Sequence, residues 1–200
     1  MGVLFRIVLV ILIGAGLGLV SALWSFGAIG GERSGYSINI NGWTGSTLIG
    51  SQASDPYTRA RIARRGLLAM ARSEAIYFFR DRDQSGERLR ENCSYRIKGK
   101  VLPTRWWSVT LYAEDDYLAQ NDDEAHSVSA ATPSIVEDDW TATLSPERVD
   151  GPWLSTVASD RFSLTLRLYN PSDDLRDDPE SFDFPEVTRL GCNGGGDEAS

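Results

Sequence analysis

Two hydrophobic patterns divide this chain. Residues 7–24 carry no charge, and a stretch of that length rises about 27 Å as a helix, close to the roughly 30 Å of bilayer hydrocarbon. Beyond residue 74 the apolar period drops to two. Cys93, Tyr95 and Ile97 alternate with Ser94, Arg96 and Lys98, and Trp107, Val109 and Leu111 alternate with Ser108, Thr110 and Tyr112. Trp140, Ala142 and Leu144 alternate with Thr141 and Thr143, and Phe162, Leu164, Leu166 and Leu168 alternate with Ser163, Thr165, Arg167 and Tyr169. Side chains of a strand project alternately to its two faces, so each segment predicts a half-buried strand, and the apolar run 75–79 predicts another. Turn-forming residues separate them at 81–86, 98–100, 115–116, 150–152 and 170–173. One-sided alternation of this kind predicts antiparallel sheets closed on a shared apolar interior, a mainly β sandwich.

A single-pass anchor and a cleaved signal peptide both fit residues 1–26, since a signal peptide also has a basic start and an apolar core ending in small residues, as at Val20-Ser21-Ala22. The apolar run continues through Leu23, Trp24 and Phe26, longer than a signal core, and Trp24 suits a membrane interface, which favours the anchor. Gly14 and Gly18 add a small-xxx-small spacing that lets helices approach closely. Arg6 on one side, against Glu32 and Arg33 cancelling on the other, predicts a cytoplasmic N-terminus and an exported domain. The expected organisation is an anchor over 1–26, a glycine-rich tether over 27–35, a folded domain over 36–192 and a glycine and acidic tail over 193–200.

One prominent amphipathic helix is predicted within the domain. Asp55 offers an N-cap oxygen, Pro56 fits the first helical position, and the pattern continues to about Ser73. On a helical wheel Arg61, Arg64, Arg65 and Arg72 form a basic face opposite Ala60, Ala63, Gly66, Leu67 and Met70. That face is solvated, or it docks on an acidic protein surface or anionic lipid. Glu74 lies one turn beyond Met70 on the apolar side, which predicts a solvent-exposed helix end or a buried carboxylate paired with arginine, Arg105 or Arg167 being placed for it.

The net charge of −8 is unevenly spread: residues 1–100 hold 14 Lys and Arg against 7 Asp and Glu, and residues 101–200 hold 6 against 21. An acidic chain of this kind lacks the basic surface that nucleic acid requires. Its two cysteines, Cys93 and Cys192, read as one disulfide of an exported domain or as two buried thiols, and with a single histidine, His126, they make no zinc set.

Candidate chemistry is sparse. Asp81-Arg82-Asp83-Gln84-Ser85-Gly86 has the first half of a calcium loop, but Asn92 stands where the bidentate glutamate is required, so a hairpin turn is the better reading. His126-Ser127 lacks a third group to orient a base, and the pairs Asp122-Asp123, Asp138-Asp139, Asp173-Asp174 and Asp177-Asp178 lie in loop-like stretches. No metal or cofactor set is expected, and no catalytic residue can be assigned. The aromatic residues say more: Trp106 and Trp107 must point to opposite faces of one strand, and Tyr112 shares the outer face with Trp106, with Arg167 and Tyr169 on a similar face of another strand. Such a face binds a sugar or flat ligand, or it packs beneath the helix or loops.

Several ordered blocks carry a family resemblance: Gly42-Trp43, Asp55-Pro56-Tyr57-Thr58-Arg59-Ala60, Glu74-Ala75-Ile76-Tyr77-Phe78, Cys93-Ser94-Tyr95-Arg96-Ile97, Arg105-Trp106-Trp107-Ser108-Val109-Thr110-Leu111-Tyr112 and Leu164-Thr165-Leu166-Arg167-Leu168-Tyr169-Asn170-Pro171. Over about residues 42–192 the chain resembles the bacterial domain of unknown function 1214. The resemblance implies a jelly-roll-like β-sandwich in its short, membrane-anchored form, with end cysteines matching Cys93 and Cys192. It also implies a partner, since longer relatives fuse this domain behind another, numbered 1254, that elsewhere is a separate protein. No reaction is established for the family, so no catalytic residue carries over. Three classes of function follow, led by an inner-membrane-anchored structural or protein-docking domain exposed to the periplasm or outside the cell. A small-molecule or glycan-binding module and an uncharacterised enzyme are the alternatives.

Overall fold

The computed structural model describes residues 2–30, 37–46, 49–51, 54, 56–64, 70–132 and 139–193, with backbone alone at 25–30, 37, 57, 58, 61 and 64. Helix α1 (Val3–Gly30) precedes strands β1 (Ser37–Ile40) and β2 (Trp43–Ser46), helix α2 (Pro56–Arg64) and strands β3 (Ala75–Arg80), β4 (Cys93–Lys100) and β5 (Thr104–Tyr112). Strands β6 (Ser127–Ser129), β7 (Asp139–Ser145), β8 (Trp153–Ser155) and β9 (Ser163–Pro171), helix α3 (Asp173–Asp177), a 3-10 turn (Pro179–Ser181) and β10 (Glu186–Cys192) complete the order.

Within α1, Val3–Trp24 is long and apolar enough to cross a membrane and its side chains are exposed, as in a membrane anchor or signal sequence. The helix continues through Gly30, so residues 27–30 of the expected tether are helical; residues 31–36 and the tail from 194 lie outside the described residues. Helix α2 begins at Pro56 as expected, while Asp55 and residues 65–69 lie outside the description. Arg72–Glu74 form a turn rather than the last turn of a helix, and Ala60 and Ala63 are exposed, which corrects the expected apolar side.

Among the described residues ten strands form two sheets, one of six in the order β1-β2-β3-β9-β5-β6 and one of four in the order β10-β4-β7-β8. Every pair is antiparallel except β7 with β8. The alternation predicted by the sequence places Ile76, Phe78, Val109, Leu111, Leu164, Leu166 and Leu168 of one sheet and Tyr95, Ile97, Ala142 and Leu144 of the other in one core. Trp107 stacks on Trp140 across it, with ring centroids 4.4 Å apart. The result is the mainly β sandwich expected.

Two devices close its margins. Asn41 (φ 50°) and Gly42 (φ 84°) are the two-residue connection between β1 and β2, with Ile40 facing Trp43, the positive-φ pair that matches the twist of a hairpin. At the other margin Cys192 of β10 faces Cys93 of β4 and the two form a disulfide, S–S 2.00 Å.

A polar and aromatic face on the six-stranded sheet

The candidate site is set by register on the three central strands of the larger sheet. Arg167 of β9 lies between Ser108 of β5 and Tyr77 of β3, and Tyr169 lies between Trp106 and Ala75. Since the intervening residues fill the core, these side chains all project outward. Leu166 and Leu168 anchor Arg167 from below, each 1% exposed, so the arginine stands on a rigid base.

Arg167 is half-buried. Its Nη1 donates to Thr110 Oγ1 at 3.0 Å and its Nη2 to Tyr112 Oη at 2.6 Å, and the guanidinium sits 5.5 Å from the Tyr112 ring centroid. Trp106, 38% exposed, tilts against Tyr169 with centroids 5.2 Å apart. Tyr77 is 4% exposed and its Oη accepts the Met70 N–H at 3.1 Å. Burial pushes the Tyr77 hydroxyl above its ordinary pKa, against the opposing effect of that hydrogen bond. The face thus combines one cation, several hydroxyls and an accessible indole, and its cross-strand rows on β3, β9 and β5 carry no Asp or Glu. Among the described residues Arg167 makes no ion pair.

Other expected site residues lie elsewhere. Glu74 is exposed and pairs with neither Arg105 nor Arg167, correcting the buried pair: the chain is in a turn there, so the wheel does not apply. Its backbone carbonyl accepts the Asn170 N–H at 2.7 Å instead. Arg105 is exposed at the start of β5. Of the proposed docking face, Arg61, Arg64 and Arg65 fall outside the described side chains. Arg72 leaves the helix and donates from Nη2 to the Arg176 carbonyl.

The turn after β3 is a hairpin rather than a calcium loop. Asp81 pairs with Arg88 at 2.8 Å, while Asp83 Oδ1 accepts from Ser85 N (2.9 Å), Ser85 Oγ (2.6 Å) and Glu87 N (3.1 Å). Asp83 Oδ2 meets the Arg189 guanidinium at 2.7 Å, a charge contact outside hydrogen-bond alignment. Burial raises the Asp83 carboxyl, but the Ser85 and Glu87 donors with Arg189 outweigh it and hold the group below the usual carboxylate range. His126 Nδ1 has no hydrogen-bond partner among the described residues, so no carboxylate there orients it as a base. No group of metal-ligating side chains occurs among the described residues.

Sequence reasoning missed Arg80, 2% exposed, which ties three segments together. It donates from Nε to the Arg82 carbonyl (2.7 Å), from Nη2 to Gln84 Oε1 (3.0 Å), and from Nη1 to the carbonyls of Asn41 and Pro185. No periodicity announces such a residue, because a buried arginine satisfied by backbone oxygens occupies an ordinary strand position.

An N-terminal apolar helix followed by a β-sandwich with a polar, aromatic sheet face defines the class of this protein. The family model described as "Protein of unknown function (DUF1214)" matches residues 74–173, and the chain belongs to that family. Trp106, Tyr112, Arg167 and Tyr169 all fall within the matched segment. No curated protein matches the chain. Among solved structures, the VPA0106 protein of Vibrio parahaemolyticus is similar over 69% of this chain and 36% of that one, at 24% identity and a TM-score of 0.55. A protein of Burkholderia cenocepacia overlaps 58% of this chain and 30% of its own, at 13% identity and a TM-score of 0.44. The chain therefore spans about a third of the length of these two, and the Vibrio protein's likeness is one of fold.

Proposed function

We propose that this protein is a binding domain of the bacterial envelope, held at the inner membrane by α1 with its N-terminus cytoplasmic and the sandwich in the periplasm or outside the cell. Its working surface is the outer face of the six-stranded sheet around Arg167. One observation carries this reading: a half-buried guanidinium whose described partners are neutral hydroxyls, on strand rows without a carboxylate. A cation so placed favours an anionic group brought by a ligand. Thermal unfolding of the detergent-solubilised full chain tests it, with inorganic phosphate, citrate and neutral sucrose as probes. The anions should raise the Tm of wild type and not of Arg167→Gln; equal shifts in both proteins would remove the proposal.

A second reading is docking against a separate protein of the 1254 type. It is supported by the Vibrio protein, in which the similar region is 36% of a longer chain, although a shared chain is only an analogy for a partnership. The pair should co-purify under gentle solubilisation, and Arg61→Glu with Arg65→Glu should weaken that association; no co-purification would reject it.

A further inference from the structure

We infer that the Arg167 face takes an acidic sugar, a pyranose ring bearing a carboxylate. This rests on the binding role proposed above for the same face and names its ligand.

The polar inventory comes first. A guanidinium carries five N–H donors, and Arg167 uses one on Thr110 Oγ1 and one on Tyr112 Oη. Both hydroxyls accept from the arginine, so each keeps its own O–H to donate. The unspent hydrogens of the site are thus N–H and O–H donors; its strand rows hold no carboxylate, and Glu74, whose charge reaches Tyr77, stands just before β3 and outside them. A ligand rich in acceptor oxygens and negatively charged fits this inventory, and a cation does not.

The aromatic geometry narrows the class. Tyr169 stands two residues from Arg167 on the same strand face, about 7 Å along at the usual strand rise, and Trp106 sits directly across from Tyr169. Between Trp106 and Thr110 on β5 lies Ser108, which pairs with Arg167 and is itself buried, so the accessible groups of the site are the indole and the guanidinium on either side of it. A pyranose carboxylate bridges these two groups: its acid group reaches Arg167 while its C–H face lies on the accessible ring of Trp106. The ring hydroxyls then meet the Tyr112 O–H, which a purely aromatic acid would leave without an acceptor.

Saturation-transfer NMR on the detergent-solubilised full chain distinguishes the alternatives, using D-glucuronate, D-glucose, benzoate and inorganic phosphate as probes. Glucuronate should bind saturably and about tenfold more tightly than the other three, the difference expected for one charge-assisted contact together with one ring contact. Arg167→Gln should weaken glucuronate about tenfold. Trp106→Ala should weaken glucuronate while leaving phosphate unchanged, and Tyr112→Phe, which keeps the ring, should also weaken it. If benzoate or phosphate matches glucuronate and all depend on Arg167, the sugar assignment falls and the binding role stands. If no anion binds, or binding is the same in Arg167→Gln, both fall. Unaltered glucuronate binding in Trp106→Ala overturns the assignment without requiring Arg167 variants to fold.

Discussion

Arg80 is buried beneath the first hairpin, and removing its side chain takes a donor from the carbonyls of Asn41 and Arg82 and from Gln84, while the Pro185 carbonyl keeps the Trp43 indole N–H at 2.6 Å. Arg80→Ala should therefore cost about 1–3 kcal/mol, since a buried side chain that packs on Trp43 and makes several charge-assisted hydrogen bonds is lost. Glu74→Ala removes an exposed side chain and should change stability by no more than about 0.5 kcal/mol. Denaturant melts of the two variants side by side check both values, and equal effects would contradict the structure. Asp83 adds a pH dependence. Its folded-state pKa is lowered, so its contribution is full above the usual carboxylate range and is lost as pH falls through that range to the lower folded value. The stability gap between wild type and Asp83→Asn, about 1–3 kcal/mol at neutral pH, should narrow progressively in urea melts below about pH 4; a constant gap would show that the carboxylate is not the stabilising form.

Legibility differed among elements for physical reasons. Strands β5 and β9 are central, one face in the core and one outward, so their period of two was plain and placed Trp106, Tyr112, Arg167 and Tyr169 on outer faces. That Trp106 sits across from Tyr169 and Ser108 from Arg167 was not legible, because register belongs to the ladder rather than to either strand. Strand β10 buries Val187 alone, and the three residues of β8 are all buried, so neither shows an alternation to read. The first hairpin did carry a signal, Asn41-Gly42 flanked by Ile40 and Trp43. Glu74 was misplaced because a wheel extends a helix indefinitely, whereas the chain is in a turn over Arg72–Glu74. The disulfide joins elements that sequence could only pair by elimination or family likeness. It closes a loop with a separation of 99 residues, for which the chain-entropy model gives about 4–5 kcal/mol. Labelling of denatured, unreduced protein taken from the envelope should find no free thiol, and reduction should lower the urea midpoint; two reactive thiols per chain would reject the bridge.

At the scale of the whole molecule, α1 sets where the sheets can act. If it is an anchor, mass spectrometry of the purified protein will find residues 4–19 retained, and a mature chain starting at Leu23 will instead identify a signal peptide. The sheet order also bears on how the domain is made. Strand β3 has β9 for its central neighbour and β4 has β10, so neither sheet can be completed from residues close together in the chain. During synthesis β4 can pair with β7 and β5 with β6, but both sheets stay incomplete until residues 163–192 follow. A chain in that condition leaves apolar strand faces uncovered and is exposed to aggregation if it pauses. Late arrival of β9 and β10 thus makes the last part of the domain the timer of its own folding: wherever the chain folds, its core closes only once residues 163–192 have joined the two sheets.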